Sequence, residues 1–298
     1  MHPLISVVMA TYQGEKYLKI QIESLLAQDY PNLEFIWVDD ASTDQSLSIL
    51  KEYASQDVRI QILENLKNEG HNAAFEKGMK AANGELIALS DQDDYWIPAK
   101  LSTLFNGIGD CSLIYSDSQL IDQAGRELPL KMSGLKRQIA YNSPLMYTFG
   151  AWAPGHSMLF KKKVLETALP LSNWVTHDYL LGFSATCHKG IAYIPIPLVH
   201  YRQHESNAIG ADFKNAKKLY QTRAERNMRI CERIKILAER CCDSKEKQLF
   251  EQLYLDFSGN SLFNRMRRCK TVLKYRDDML AYKGKSSLGN FLYCFKLL

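Results

Sequence analysis

The first hundred residues alternate between short, continuously apolar runs and segments with helical spacing. Residues 4–10, 33–38, 60–63 and 85–89 are β-rich apolar runs. Residues 15–26, 42–53 and 72–82 space their apolar side chains by three and four, as Tyr17, Leu18, Ile22, Leu25 and Leu26 do in the first of them. Strands apolar on both faces, joined by helices of this length, predict βαβ units and a mainly parallel sheet covered on both sides. The pattern then becomes mixed. Residues 111–116 and 157–160 predict strands, 176–186 a helix, and 191–200 a long strand whose Pro195 and Pro197 suit an edge or a bulge. Beyond residue 212 the spacing is helical to about residue 256, and again in later pieces. No internal repeat or low-complexity segment interrupts it.

In open parallel sheets, ligands bind beyond the carboxyl ends of the strands. Here those ends are polar: Thr11-Tyr12 after the first strand, Asp39-Asp40 after the second, residues 65–72 after the third, and Ser90-Asp91-Gln92-Asp93-Asp94 after the fourth. The last run is the most informative. Three neighbouring carboxylates repel one another and resist desolvation, so they need a cation or hydrogen-bond donors. Such hard oxygen ligands suit Mg²⁺ or Mn²⁺, ions often shared with a diphosphate. Taken alone the run reads equally as a solvated acidic turn. Four polar strand ends converging on one crevice favour a site.

The other motifs keep two readings each. Asp39-Asp40-Ala41-Ser42-Thr43-Asp44 either caps the next helix through Ser42 or Thr43, or accepts hydrogen bonds from a base and a ribose. Asn68-Glu69-Gly70-His71-Asn72 is either a turn with an N-cap or a set of backbone donors for a phosphate or nucleoside. Asp178, in His177-Asp178, is either a cap or a general base for an attacking hydroxyl. Tyr201-Arg202-Gln203-His204 is either a solvated loop or a diphosphate contact.

Composition narrows the class. The chain is 46% hydrophobic and 23% charged, with no apolar run of spanning length, so no membrane-crossing helix is expected. Met1-His2-Pro3 enters a strand without a basic n-region, and no signal peptide is expected. Seven cysteines (Cys111, Cys187, Cys231, Cys241, Cys242, Cys269 and Cys294) are scattered without a Cys-x-x-Cys pair, which disfavours zinc ribbons and thioredoxin-like chemistry and suits reduced cytosolic thiols. The net charge of +4 is uneven: residues 1–210 hold 17 Lys and Arg against 23 Asp and Glu, residues 211–298 hold 20 against 10. A basic C-terminal part could meet nucleic acid or an anionic membrane. Within it, residues 263–274 mix basic and apolar side chains, as a membrane-surface helix or a solvated basic face would. The apolar tail 291–298 is either a packed terminal element or a membrane or partner contact.

Together these motifs resemble family 2 of the inverting glycosyltransferases, enzymes of the GT-A fold. Ile5-Ser6-Val7-Val8-Met9-Ala10-Thr11-Tyr12 resembles the family's first strand and nucleotide contact. Val38-Asp39-Asp40-Ala41-Ser42-Thr43-Asp44 is similar to its Val-Asp-Asp-Gly-Ser-Thr-Asp segment, with Ala41 where Gly is common. Asn68-Glu69-Gly70 resembles its Asn-x-Gly turn, followed here by His71 rather than Arg. Asp91-Gln92-Asp93 looks like its Asp-x-Asp metal motif. The match is close over about residues 4–105 and thinner to about 210.

The resemblance implies roles. Asp39 or Asp40 would hold the base, with Thr11, Tyr12, Asn68, Gly70 and Asn72 around the nucleotide. Asp91 would serve the ribose or the metal, Asp93 would ligate the metal directly, and Asp94 would cap a helix or support the ligands. Arg202 and His204 would meet the diphosphate, Asp178 would be the catalytic base, and Gly155, His156 and His177 would face the acceptor. The pairing of Ser-Asp-Gln-Asp-Asp with Tyr-Arg-Gln-His looks like a bacterial rhamnosyltransferase-type branch using dTDP-L-rhamnose.

The expectation is an α/β chain of GT-A type: a Rossmann-like, mainly parallel sheet with helices on both faces, plus a basic helical C-terminal extension. Residues 1–210 would form the catalytic domain, with 1–105 the nucleotide-binding half and 106–210 the acceptor-binding half, and 211–298 the extension. The activity implied is Mn²⁺- or Mg²⁺-dependent transfer of a sugar from a nucleotide diphosphate to a growing cell-surface or lipid-linked glycan, in a cytoplasmic protein peripheral to the inner membrane face. Nucleic acid is not an expected partner. Two rivals differ in class: a sugar-phosphate nucleotidyltransferase, against which the single Gly of Ala10-Thr11-Tyr12-Gln13-Gly14 counts, and a nucleic-acid-binding protein, for which no recognised motif is present.

Overall fold

The apolar runs become the centre of one nine-stranded sheet. The computed structural model describes residues 2–204, 223–259, 261–284 and 289–291. Strand β1 (Ile5–Thr11) lies between β2 (Leu33–Asp39) and β4 (Leu86–Ser90), with β3 (Ile60–Glu64) outside β2, all parallel. The register sets Thr11 opposite Asp39 and Met9 opposite Ser90, so the polar strand ends open at one level. Beyond β4 come β5 (Tyr95–Trp96), β6 (Leu113–Ile121), β7 (Glu127–Lys131), β8 (Met158–Lys161) and β9 (Ile191–Arg202). The spatial order is β3-β2-β1-β4-β8-β6-β9-β5, with β7 paired to β6. Only β5, β7 and β8 run against the rest. The connection therefore reverses beside β4, the position where an α/β sheet opens a crevice.

The strands' two-residue period divides the core. Val8, Ile36, Ile87 and Leu89 face one layer, while Val7, Met9, Phe35, Trp37 and Ala88 face the other. The second layer holds α1 (Glu15–Leu26), α2 (Ser46–Ala54) and α4 (Lys100–Ile108). The first holds α3 (His71–Ala81) and α7 (His177–Thr186), with α5 (Met132–Leu135) and α6 (Leu165–Ala168) as short turns between β7 and α7. Helices α8 (Arg223–Arg240), α9 (Ser244–Ser258), α10 (Leu262–Lys274) and α11 (Arg276–Met279) complete the chain. Their Ile234, Leu237, Phe250, Phe257, Val272 and Leu280 join the same apolar cluster as Leu180 and Phe183 of α7. Each such side chain contributes about 1.5–3 kcal/mol of burial, so these helices hold the wall that carries Asp178. No helix among the described residues is long and apolar enough to cross a membrane. The helical spacing over 212–222 and the tail 292–298 lie outside the described residues.

The elements depart from the sequence-based expectation in places, while the bulge offered for residues 191–200 is present. The second helix starts at Ser46 rather than residue 42, because side chains take the backbone donors first: Ser42 N–H bonds Asp39 Oδ2 at 3.0 Å and Ser46 N–H bonds Asp44 Oδ1 at 2.9 Å. Strand β9 is interior, between β6 and β5; its prolines sit at a register shift, where Ser116 faces Ile194 but Asp117 faces Pro197. Helix α4 and strand β7 were not expected. Helix α4 is short, and β7 is a largely exposed strand with little apolar signal.

Ala41 has φ +61°, in the left-handed region that a Cβ disfavours. It holds the turn between Asp39-Asp40 and α2, at the position where the resembling segment carries Gly. Ala41→Gly is expected to stabilise the fold by about 0.5–1 kcal/mol, strain relief exceeding the added freedom of the unfolded chain. Urea denaturation checks this; a destabilised variant would show that the turn is unstrained.

Candidate active site

The strand ends open on a cavity of about 580 Å³. Its lining includes Ala10, Thr11, Tyr12, Asp40, Asn68, Gly70, Asp91, Gln92 and Asp93 from the strand ends and the loops after them, and Lys136, Trp152, Gly155, His156, Thr176, His177 and Asp178 from later in the chain. The structure thus brings together eleven of the residues singled out from sequence: Thr11, Tyr12, Asp40, Asn68, Gly70, Asp91, Asp93, Gly155, His156, His177 and Asp178. Asp39, Asn72, Arg202 and His204 stand behind the lining.

Each of those four has a visible task. Asp39 is buried, and its Oδ2 accepts the Ser42 N–H that closes the turn. Asn72 fastens α3 to α7: its Nδ2 donates to Ser172 O and Val175 O at 3.0 and 2.9 Å, and its Oδ1 accepts His177 N–H at 3.0 Å. Arg202 braces the acidic run. Its N–H donates to Asp94 Oδ1 at 3.0 Å and its Nε to Asp93 O at 2.9 Å, with the guanidinium over the Tyr17 ring. His204 Nε2 meets Asp93 Oδ2 at 2.8 Å. The Tyr-Arg-Gln-His segment therefore pairs with Ser-Asp-Gln-Asp-Asp by holding its backbone and two of its carboxylates, Asp93 and Asp94.

On the nucleotide side, Asp40 organises the loop before α3. Its Oδ1 accepts from Asn65 Nδ2 and Glu69 N–H at 2.7 and 2.9 Å, and its Oδ2 from Gly70 N–H at 2.8 Å. Gly70, at φ +88°, turns the chain into the helix. Gln92 clamps the end of β1 at two points: Tyr12 N–H donates to its Oε1 at 2.9 Å, and its Nε2 donates to Tyr12 O at 3.0 Å.

Charge is concentrated at the cavity floor. Asp91, Asp94 and His156 each place a ligand atom within 4.8 Å of the others. Asp93 lies beside this group and lines the cavity. Desolvation, with the charges of Asp93 and Asp178, pushes the Asp91 carboxyl up to about 7; burial raises Asp94 as well. Lys100 is fully buried below them, over the face of Trp96, and donates to His156 O at 2.6 Å. Burial drives its amine well down, against the pull of Asp94 and Asp91. His156 stacks on Tyr201 with ring centres 4.5 Å apart, and its Nε2 bonds Ser118 Oγ at 2.9 Å. Burial brings it down to about 3, so the ring is neutral at pH 7.

This donor set fits a divalent cation. Asp94 Oδ2 is buried with no hydrogen-bond partner among the described residues. His156 has one ring nitrogen engaged and the other 3.9 Å from Asp91 Oδ2, the arrangement of an oriented metal-ligating imidazole. Asp94, expected to cap a helix or support the ligands, stands in the cluster itself; the ligand potential of His156, expected to face the acceptor, was missed from sequence because His156 comes from a distant loop.

Asp178, also in the lining, stands in the first turn of α7. Its Oδ2 accepts from Trp152 Nε1 at 2.9 Å, while its Oδ1 accepts from Thr176 Oγ1 and from Tyr179 N–H. Both oxygens are oriented, and Oδ2 has a single donor. His177 packs on Phe75 at 4.2 Å and is brought down to about 4 by burial. A Cβ on Gly155 would meet His177 Nε2 at 2.9 Å, so a glycine lets this loop approach. Trp152 and Lys136, whose Nζ lies 3.8 Å from the Trp152 ring centre, carry no local motif and were also missed.

This geometry agrees with the comparisons. The family model of Glycosyl transferase family 2 matches residues 6–167. The chain belongs to that family. Among relatives, the protein named "Putative glycosyltransferase EpsH" of Bacillus subtilis (strain 168) is 28% identical over 74% of this chain and 68% of its own length. The uncharacterized glycosyltransferase MJ1057 of Methanocaldococcus jannaschii is 39% identical over 55% of this chain and 58% of its own. The crystal structure of S. aureus TarS residues 1–349 in complex with UDP-GlcNAc superposes with a TM-score of 0.60 at 18% identity, covering 98% of this chain and 90% of that one. The GT-A architecture expected for this family 2 glycosyltransferase is thereby shown.

Lys100 is the cation closest in function to the acidic floor. Lys100→Met is expected to cost about 3 kcal/mol, the scale for leaving buried charge without its partner. Denaturant titration measures it; wild-type stability in the variant would mean that Lys100 does not compensate the carboxylates.

Proposed function

We propose that the protein is a metal-dependent inverting glycosyltransferase that moves a sugar from a nucleoside diphosphate to an acceptor hydroxyl. One observation carries the reading: an oriented carboxylate, Asp178, and the acidic floor around Asp91 line the same cavity, close enough for their charges to interact. Inversion needs a single in-line displacement, hence one base and no enzyme nucleophile. The acceptor hydroxyl gives its proton to Asp178 Oδ2 while its oxygen bonds the anomeric carbon and the bond to the diphosphate breaks. Trp152 and Thr176 hold the base in place. Asp40, Thr11, Tyr12 and the turn at Asn68–Gly70 would receive the nucleoside, with His177, His156 and Gly155 toward the acceptor.

A bound Mn²⁺ or Mg²⁺ would stabilise the departing diphosphate's charge. Asp91 would hold it, supported by Asp93, Asp94 and His156. The finer expectation, L-rhamnose from dTDP-rhamnose for a cell-surface or lipid-linked glycan, belongs to this proposal as one arm of the donor test. The motif pair that suggested it is accounted for by loop bracing, which says nothing about the sugar. The cytoplasmic setting expected from sequence belongs to the same proposal.

A thermal-shift panel including UDP-GlcNAc and dTDP-L-rhamnose, with and without Mn²⁺, identifies the donor, since a ligand at about a hundred times its Kd adds ~2.7 kcal/mol to the folded state. One donor is expected to raise Tm only with metal. Asp178→Asn should keep that shift and lose about 10²-fold or more in turnover. Near-normal turnover would remove Asp178 as the base, and a metal-independent shift would remove the metal.

Metal binding carries its own pH signature. Asp91 must shed a proton held up to about 7. Apparent Mn²⁺ affinity is therefore expected to rise by up to about tenfold per pH unit below 7 and to level off above it. Calorimetry at several pH values reads this, and a flat profile would place the ion away from Asp91.

A further inference from the structure

The corner where α9 meets α10 contributes no residue to the cavity lining. Helix α10 is capped by Ser261, whose Oγ accepts Asn264 N–H at 3.1 Å, and Asn264 Nδ2 reaches back to Leu255 O on α9. This return brings Leu255 beside the first turns of α10. Leu255, Leu262, Phe263 and Met266 are 60%, 70%, 67% and 59% exposed. Single exposed apolar residues are ordinary, but four large ones gathered at one corner are not.

The opposite side of α10 explains why the corner is firm. Arg268, Cys269 and Val272 are buried, Arg267 Nε pairs with the buried Asp256 Oδ1 at 3.2 Å, and Arg268 lies over Phe257. The helix cannot roll its apolar residues inward without giving these up. Along the exposed face, Phe263 and Met266 are followed at helical spacing by Lys270 and Lys274, both exposed. Apolar side chains at one end of a face and ammonium groups at the other match an interface that is oily within and anionic at its surface. The excess of basic over acidic residues in 211–298, 20 against 10, gives the whole C-terminal part the same sign. A protein partner would not require the lysine stripe to continue the apolar one.

We infer that the α9–α10 corner docks on an anionic lipid surface, with Leu255, Leu262, Phe263 and Met266 entering the interface and Lys270 and Lys274 meeting the headgroups. This does not depend on the sugar-transfer reading, because lipid binding is measured without donor or acceptor.

The test is sedimentation of the full chain with phosphatidylcholine vesicles, with or without phosphatidylglycerol. The protein is expected to pellet with the anionic vesicles only, and less as salt is raised. Phe263→Glu with Met266→Glu should weaken binding by about tenfold or more, and Lys270→Glu with Lys274→Glu should weaken it similarly and flatten its salt dependence. All four positions are exposed, so unchanged melting temperatures would show the variants folded. Equal pelleting with neutral vesicles, no pelleting, or wild-type binding by either folded double variant overturns the proposal. So does a dimer in light scattering that Phe263→Glu with Met266→Glu dissolves without any vesicle binding, which would give the corner to a second copy of the chain.

Discussion

Everything in this active site depends on keeping three carboxylates crowded at the end of β4. Left alone, Asp91, Asp93 and Asp94 would repel one another and turn outward to water. The fold prevents this by giving each a different environment. Asp94 is buried under the Arg202 N–H, Asp93 is engaged by His204, and Asp91 faces the cavity. Lys100 lies fully buried beside them, where burial pushes its amine down and the charges of Asp94 and Asp91 pull it back up. Parts of the chain that look unrelated in sequence, the end of β9 and the start of α4, are therefore part of the same electrostatic device.

The same logic extends across the cavity. Asp178 could be an ordinary helix cap, but Trp152 and Thr176 orient its two oxygens, and Asn72 fixes the start of its helix to α3. The wall behind it is packed by the C-terminal helices. In the proposed in-line displacement, which tolerates little misplacement of the reacting groups, these contacts would keep Asp178 in place as the base. Family membership and the TarS superposition show the family and the fold, and supply neither the sugar nor the acceptor.

Much of the fold was legible because parallel strands buried on both faces leave a continuous apolar signal, and because strand ends are where polar residues gather. The first four strands, with their ends at Thr11, Asp39, Glu64 and Ser90, follow the sequence reading within a residue or two. What could not be read were contacts made across the sheet. Arg202 and His204 were expected at a diphosphate from their charge, and they stand behind the acidic run because β9 passes beside it. Trp152, Lys136 and Lys100 come from loops and a helix start with no motif, so only the folded chain places them. Ala41 marks the reverse case: the sequence showed a departure from the resembling pattern, and the structure shows that the departure holds a strained turn.

The central claim is that the acidic floor is a cation site facing a base across one cavity. An anomalous-scattering map from crystals soaked with Mn²⁺ and the identified donor tests it most directly. The account predicts one manganese peak bonded to the carboxylate of Asp91, with the donor's diphosphate against it and Asp178 on the far side of the sugar. A peak elsewhere, or a bound donor with no manganese at Asp91, would contradict it.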